Sequence, residues 1–177
     1  MKSISSFETL KNLVFFKEIA EIKSFGKIMQ KKIMEEGQAF FDVWMYQVSD
    51  EIQSLATAFG NRYMLQGALK YLADCTDFNA KELLTATIRL HMLSLVKQDL
   101  SWYLLNGSVS EEAAINFDAE FDQAVKDYVP HMNTALTSLG VPETDNRLGP
   151  IARDYVAFNS QPDAENYDSA GAKFDFR

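Results

Sequence analysis

The chain has 177 residues, of which 47% are hydrophobic, 12% aromatic and 24% charged, and its formal net charge is −8. These values are typical of one soluble globular domain, and the aromatic content excludes a disordered chain. No apolar run approaches the roughly 20 residues of a membrane-spanning helix, the single cysteine excludes an internal disulfide framework, and the acidic balance disfavours a nucleic-acid partner.

The first predicted helix covers about residues 7–36. It opens with the capping-box pattern Ser5-x-x-Glu8, in which a hydroxyl accepts a free backbone N–H and the glutamate reaches back to the cap. Gly26 is a candidate bend and Gly37 a candidate end, because glycine adopts backbone conformations that do not belong to a helix.

A second helix is predicted over about residues 38–73. Its apolar residues recur at spacings of three and four, which is the period of one helical face. Gly60 and Asn61 are a candidate break, although the pattern resumes at Tyr63. The residues that set the pattern are Phe41, Met45, Val48, Ile52, Leu55 and Phe59.

A third helix is predicted over about residues 80–106, between the pattern Asn79-x-x-Glu82 and Gly107. A helix that is apolar on most of its sides is usually central, so we expect this helix to be the most buried. Its apolar residues are Leu83, Leu84, Ile88, Leu90, Leu93, Leu95, Val96, Leu100 and Leu104.

A fourth helix is predicted over about residues 109–139. It opens at the pattern Ser108-x-x-Glu111 and ends at Gly140, since a left-handed glycine often closes a helix. Pro130 has no backbone N–H to donate and therefore predicts a local kink.

Four long helices with short connections predict an all-α fold, an antiparallel bundle over residues 1–140 within a single domain of residues 1–177. Residues 141–177 differ in composition, with three of the four prolines and many acidic residues. We expect this segment to be an irregular tail whose large side chains dock on the bundle or on a partner. The candidate interface residues are Tyr155, Phe158, Tyr167, Phe174 and Phe176.

Few side chains offer the convergent polar groups that catalysis requires. His91 could act as a general base, but a histidine among apolar helix neighbours is more often a core or half-buried residue. His131 is interpreted as a cap for carbonyls freed by the proline, and Cys75 as a structural thiol. No metal-ligand, phosphate-binding or dinucleotide motif occurs in the sequence. We therefore predict no catalytic, cofactor-binding or metal-binding residue.

Two further groups have a functional interpretation beside a structural one. Trp44 and Trp102 could stack on a flat ligand, although aromatic residues at helical spacing are more often part of a core. Lys23, Lys27 and Lys31 recur every four residues. They predict a solvated helix face, with a membrane or partner contact as the alternative.

Four segments share their order and spacing with a known family. An apolar helix ends in the pair Trp102-Tyr103, followed by a Gly turn and a Ser, and a later helix ends in a Gly-Val-Pro turn followed by Gly-Pro-Ile. Together with the stretch Ala-Phe-Gly-Asn-Arg-Tyr, they resemble the C-terminal α-helical domain of the acyl-CoA oxidases over about residues 43–155. The segments are residues 58–63, 90–110, 136–143 and 148–152.

The resemblance implies a helical bundle that, in the oxidases, supports the flavin-bearing core and takes part in the dimer. The family binds its flavin and substrate mainly in domains that precede this one, and its catalytic glutamate also lies before the part represented here. The resemblance therefore assigns no catalytic residue to this chain. It implies no cofactor in the isolated chain, with FAD expected only where a partner supplies the site. From Asn159 onward the tail departs from the family's helical ending.

Three interpretations of function follow. The first is a non-catalytic helical subunit or scaffold in a larger assembly, with other protein subunits or a second copy as partners. The second is the C-terminal portion of an FAD-dependent acyl-CoA oxidase of fatty-acid β-oxidation, active only with a partner that carries FAD and the catalytic base. The third is a bundle that binds a small molecule or an acyl chain in a pocket near Trp44 and Trp102.

Two features of the sequence bear on the cellular compartment of the protein: its cysteine content and its last three residues. We expect an intracellular, reducing compartment because the chain has one cysteine. The final Asp175-Phe176-Arg177 is not the Ser-Lys-Leu peroxisomal address, and the sequence assigns no organelle.

Overall fold

The computed structural model describes Ile4 and residues 6–140, and every regular element in this part of the chain is helical. The predicted all-α class is therefore confirmed. The chain divides into two compact units, Met1–Met132 and Asn133–Arg177. The helices that carry the core and the side-chain contacts described below belong to the first unit.

The first helix, α1, spans Phe7–Gln30. Its N-cap is Ser6, whose side-chain oxygen accepts a hydrogen bond from the backbone N–H of Thr9 at 3.2 Å. The predicted cap at Ser5 was therefore one residue early. Two serines stand side by side here, and the cap is the one whose extended backbone directly precedes the first helical residue.

A corner follows α1. A π-helical turn spans Lys31–Glu35, and Gly37, with φ of +67°, ends the helical run as predicted. A short helix, α2, then spans Phe40–Tyr46 and buries Val43 completely.

The predicted second helix is in fact two helices. The Val43 carbonyl accepts hydrogen bonds from the N–H groups of both Gln47 and Val48, which closes α2. Val48 is fully buried, and a new helix, α3, spans Ser49–Asp74. The break lies here and not at Gly60, through which α3 runs without interruption.

The helix α4 spans Phe78–Gln98. Its N-cap is Asp77, whose carboxylate accepts the N–H of Ala80 at 2.7 Å, so the predicted cap at Asn79 was wrong by two residues. Asp77 also places a negative charge at the positive end of the helix dipole, which favours it as the cap.

The predicted third helix is broken near its end. Asp99, with φ of −113°, interrupts the ladder, and a short helix, α5, spans Leu100–Leu105. Gly107, with φ of +66°, then reverses the chain. The carbonyl of Tyr103 accepts hydrogen bonds from the backbone N–H groups of Ser108 and Val109, the two residues after this glycine. The left-handed glycine predicted at this turn is confirmed.

The predicted fourth helix consists of shorter pieces. Ser110 caps the first of them, so the start predicted at Ser108 was two residues early. The kink predicted at Pro130 is confirmed as a single 3-10 turn. The pieces are α6 (Glu111–Ile115), α7 (Phe117–Tyr128), the 3-10 turn (Val129–His131) and α8 (Met132–Ser138).

The core of the first unit lies where α1, α3 and α4 meet, with α7 packed on α4. Among these helices α4 contributes the largest number of buried residues, which are Ile88, Met92, Leu93 and Val96. This agrees with the prediction that the third helix is the most buried. The other fully or almost fully buried apolar residues in this core are Ile4, Leu10, Leu13, Val14, Leu65, Tyr103, Val109, Phe117 and Ala124.

Candidate functional site

The polar residues nearest the core form a small cluster where α1, α3 and α5 meet. Lys17 forms an ion pair with Asp99, and its ammonium lies 5.5 Å from the centre of the Trp102 ring. The Tyr103 hydroxyl donates a hydrogen bond to the backbone carbonyl of Leu13 at 3.2 Å. A small cleft that is open to solvent is lined by Lys17, Asp99 and Tyr103, together with Asn61.

Tyr103 is the buried member of this cluster, with 1% of its surface exposed. Burial raises the pKa of its hydroxyl well above the usual tyrosine value, and the charge of Asp99 raises the pKa further. The hydroxyl therefore stays protonated at neutral pH and acts as a hydrogen-bond donor rather than as a base.

A second group of polar contacts joins α1 to α3. The Arg62 guanidinium donates two hydrogen bonds to the Glu18 carboxylate, at 2.7 and 3.0 Å. About one turn further along α1, the Glu21 carboxylate accepts a hydrogen bond from the Ser54 hydroxyl at 3.2 Å. The hydrogen bond to Glu18 raises the pKa of Arg62 above its ordinary value. Since residue 62 meets residue 18 and residue 54 meets residue 21, α1 and α3 run antiparallel, as a bundle requires.

A third group joins α4 to α7 in the same antiparallel sense. Lys97 pairs with Asp118 at 2.9 Å and lies 4.5 Å from the centre of the Phe121 ring. Arg89 pairs with Asp127 at 3.1 Å. Across all three groups, the charged side chains contact one another or an aromatic ring between helices. Their arrangement suits the fixing of helix register and does not converge on a space for a substrate.

The structure tests the candidates that the sequence offered as reactive groups. His91 is exposed on α4, so the expectation of a core or half-buried histidine was wrong. His131 is half-buried in the 3-10 turn, and Cys75 is half-buried with its Sγ 3.6 Å from the carbonyl oxygen of Asp77. Among residues 6–140 no three His, Cys, Asp or Glu side chains form a group that could hold a metal ion.

The two tryptophans do not form one pocket. Trp44 packs against Phe25 and Phe40, whereas Trp102 packs against Phe16 and Tyr103. The contacts on α1 are nine residues apart, which is about 13 Å along a helix. A single ligand site near both rings, as the third interpretation required, is therefore not present.

Two other predictions concern the lysine ladder and the tail. Lys23, Lys27 and Lys31 are exposed, as predicted for a solvated face. The tail residues predicted as an interface lie outside the residues that the structure describes. They are Tyr155, Phe158, Tyr167, Phe174 and Phe176.

The sequence alone did not identify Lys17, Glu18, Arg62 or Asp99 as contact-forming residues. A signal was present for the first two, because charged residues beside the apolar positions of α1 either project into solvent or pair with a neighbouring helix. Their partners, Arg62 on α3 and Asp99 between α4 and α5, could not be named, since that requires the helix register. Within the described ranges no helix is long and apolar enough to cross a membrane.

Two exposed apolar surfaces were also missed. On α2, the side chains of Phe40, Phe41, Trp44 and Met45 are 38–62% exposed, and we call them the α2 arc. On α3, large exposed side chains alternate with small residues along one face, and we call this face the α3 stripe. Its residues are Ala56, Gly60, Tyr63, Met64, Gly67 and Tyr71.

The comparisons with known proteins give one result. The family model for acyl-CoA oxidase matches residues 8–132, which are 125 of the 177 residues. A search of curated proteins and a search of solved structures each found no significant match. The matched residues contain every buried core residue except Ile4, together with all three groups of interhelical polar contacts. The chain therefore belongs to the acyl-CoA oxidase family.

Proposed function

We propose that this chain is a non-catalytic helical part of an acyl-CoA oxidase assembly, and that it packs against the part that carries FAD and the catalytic base. The observation that carries the proposal is the α2 arc, an ordered apolar surface on a domain of this family. Monomeric proteins rarely leave such a surface in water, and an exposed patch of large apolar side chains commonly marks a contact with another protein.

The geometry of α2 supports a docking role. Val43 points into the molecule and is fully buried. At about 100° per residue, Phe40, Trp44, Phe41 and Met45 follow one another around the helix over an arc of about 140°. These four side chains therefore form one continuous outward face.

The corner before α2 holds this face in place. The Lys32 ammonium donates to the Gln47 side-chain oxygen at 2.8 Å, and the Gln47 amide donates to Gln38 at 2.6 Å. The Gln38 amide in turn donates to Glu36 at 2.7 Å. The network ties both ends of α2 to the π-helical turn, so the α2 arc loses little conformational freedom on binding.

The described residues do not fit a flavin. The cleft at Lys17 and Asp99 is far smaller than an isoalloxazine ring, and its ionic groups are already paired. Dehydrogenation of an acyl-CoA requires a bound flavin and a carboxylate within reach of the α-proton. We expect both groups on the flavin-bearing part of the oxidase, as the family resemblance implies.

The proposal can be tested by co-expressing the chain with a flavin-bearing acyl-CoA oxidase region that lacks its own C-terminal helical domain. We expect a stable complex that carries FAD, and we expect Phe41→Ser together with Met45→Ser to weaken it. Leu105→Ser is the matched control, because Leu105 is 89% exposed and lies outside the α2 arc. Equal binding by the two variants would contradict docking through α2.

A second experiment addresses the non-catalytic role. The isolated chain is mixed with excess FAD, passed through gel filtration and assayed for peroxide production from an acyl-CoA. We expect no visible flavin absorbance in the protein peak and no turnover. Co-eluting flavin together with turnover would overturn the proposal.

Mass spectrometry of the natively purified assembly distinguishes the remaining interpretations. A flavoprotein partner, or a longer chain that contains these residues, supports the oxidase assembly. Large subunits without flavin would instead support a scaffold outside the oxidase reaction.

A further inference from the structure

We propose that Asn106 is a site of spontaneous covalent modification in the folded chain, at which the backbone nitrogen of Gly107 displaces ammonia from the Asn106 side chain. The products are an aspartate and an isoaspartate at position 106. The inference rests on the turn that follows α5 and does not depend on the oxidase assembly proposed above.

The sequence places the one favourable neighbour beside this asparagine. Asn106 is the only asparagine of the chain that a glycine follows. The reaction requires the peptide nitrogen of the next residue to reach the side-chain carbonyl carbon of the asparagine, and a side chain on that next residue obstructs the approach. Glycine has no Cβ and adopts a wide range of backbone conformations. A Cβ built on Gly107 would meet nothing within 4 Å, so the peptide has open space around it.

The turn is exposed and its two reacting groups are held by one hydrogen bond each. Asn106 is exposed, and the preceding Leu105 is 89% exposed. The Gly107 N–H donates to the Leu104 carbonyl at 3.0 Å, and the Asn106 amide donates to the Trp102 carbonyl at 2.9 Å. Both bonds lie at the end of a six-residue helix. Their opening is a local fluctuation that leaves the buried core packed, and it frees the nitrogen and the amide together.

The reaction needs only water as a co-reactant. The Gly107 nitrogen loses its proton to solvent and forms a bond to Cγ of Asn106, and the bond from Cγ to Nδ2 breaks so that ammonia leaves with a proton from solvent. Water then opens the five-membered ring. Cleavage between Cγ and the nitrogen gives aspartate, and cleavage between the backbone carbonyl carbon and the nitrogen gives isoaspartate, in which the chain runs through the side chain. One water is consumed and one ammonia is released.

A second asparagine in the same chain isolates the contribution of the glycine. Asn116 ends α6 as Asn106 ends α5, with φ of −86° at both residues. It is also exposed, and its amide donates to the carbonyl of Glu112, four residues earlier, at 3.0 Å. The next residue differs, because Phe117 is 1% exposed and begins α7. The peptide after Asn116 cannot turn without moving a buried ring, so we expect Asn106 to react and Asn116 to persist.

The modification removes contacts that close α5. The aspartate form has no amide N–H for the Trp102 carbonyl, and it places a negative charge at the negative end of the helix dipole. The isoaspartate form also adds one atom to the backbone. The Tyr103 carbonyl then loses the geometry in which it accepts the N–H groups of Ser108 and Val109. We therefore expect the modified chain to loosen first at this turn.

The first test follows the reaction in the folded full chain. The purified protein is incubated at neutral and at mildly alkaline pH, and its peptides are mapped by mass spectrometry over time. Asn106 should change from amide to acid at least about tenfold faster than Asn116. The rate should rise with pH, because the attacking nitrogen must lose its proton. Isoaspartate is detected separately as a methyl acceptor for a protein isoaspartyl methyltransferase.

A sample of the same chain in urea shows that the assay detects the reaction once the turn is open. An Asn106 that keeps its amide in the folded chain while the unfolded chain reacts would overturn the proposal, since the turn would then protect the residue. Equal rates at Asn106 and Asn116 in the folded chain would contradict the role of the glycine.

The second test measures the consequence by hydrogen exchange. Asn106→Asp reproduces one product, and it should speed exchange at the N–H groups of Ser108 and Val109. Asn116→Asp is the matched control, because it adds the same charge at the end of α6, and it should leave these two groups unchanged. Ageing should speed the same two groups in the wild-type chain and not in Asn106→Ser, which has no amide to lose. Exchange that is unchanged in Asn106→Asp and in the aged wild-type chain would contradict the loosening of this turn.

Discussion

The inner face of α4 and the outer face of α3 are built from similar residues and have opposite environments. Met92, Leu93 and Val96 on α4 are fully buried, whereas Tyr63 and Met64 on α3 are more than half exposed. Both faces repeat with helical period. An apolar helical pattern therefore identifies a surface that favours burial. It does not identify the neighbour that buries this surface, which can belong to another chain.

The largest expected effect on stability comes from a substitution in the inner face of α4. Leu93→Ala should lower the free energy of unfolding by about 2–5 kcal/mol, because it removes buried methyl groups and leaves a cavity. Chemical denaturation of the full chain at low protein concentration measures this loss. Met64→Ala on the outer face is the comparison, and it should change the stability of the monomer by less than about 0.5 kcal/mol. Equal losses at the two positions would mean that the α3 stripe is already covered within one copy.

The next effect concerns the buried hydroxyl that ties α5 to α1. Tyr103→Phe removes the donor and leaves the Leu13 carbonyl without it, so we expect a loss of about 1–3 kcal/mol. Thermal unfolding followed by circular dichroism measures it. A stability unchanged within error would show that solvent replaces the hydroxyl at this carbonyl.

The same residue predicts a pH dependence. The folded pKa of Tyr103 is raised by burial, so its contribution is fully present below the ordinary tyrosine pKa of about 10 and is lost as the pH rises through the folded value. Wild-type stability should therefore fall above about pH 10, and the Tyr103→Phe chain should fall less steeply. Parallel profiles for the two chains would contradict this assignment.

A smaller effect tests the polar contact between α1 and α3. Arg62→Gln and Glu18→Gln should each lower the melting temperature, and the double substitution should lower it by less than the two effects added together, because the pair is shared. The losses should shrink at high salt, as expected for a partly exposed ion pair. Additive losses would indicate that the two side chains act independently.

The smallest effect is expected at His91. This side chain is exposed on α4, and His91→Ala should change the unfolding free energy by less than about 0.5 kcal/mol. Its substitution by alanine is a control for the buried positions on the same helix. A loss as large as that of Leu93→Ala would place His91 in a contact outside the single copy.

The sequence predicted the fold class, the glycine turns and the central position of α4, because helical periodicity and left-handed glycines are local signals. It missed the break at Val48. This valine fits the apolar helical pattern, but in the structure it is fully buried and stands outside both helices, as the N-cap of α3. It also placed three N-caps one or two residues away, because Ser, Asn and Asp compete for the cap within a few residues of one another. The pairs of Lys17 with Asp99 and Glu18 with Arg62 depend on how helices distant in sequence meet, which no local pattern encodes.

The hydrogen bond from Tyr103 to the Leu13 carbonyl joins residues 90 positions apart, and it has a consequence for synthesis on the ribosome. At about 5–20 residues per second, Leu13 leaves the exit tunnel roughly 5–18 seconds before Tyr103 does. For much of this interval Leu10, Leu13 and Val14 lack the part of their cover that α4 and α5 supply. We therefore expect nascent chains truncated before residue 100 to bind chaperones that recognise apolar segments, and full-length chains to release them.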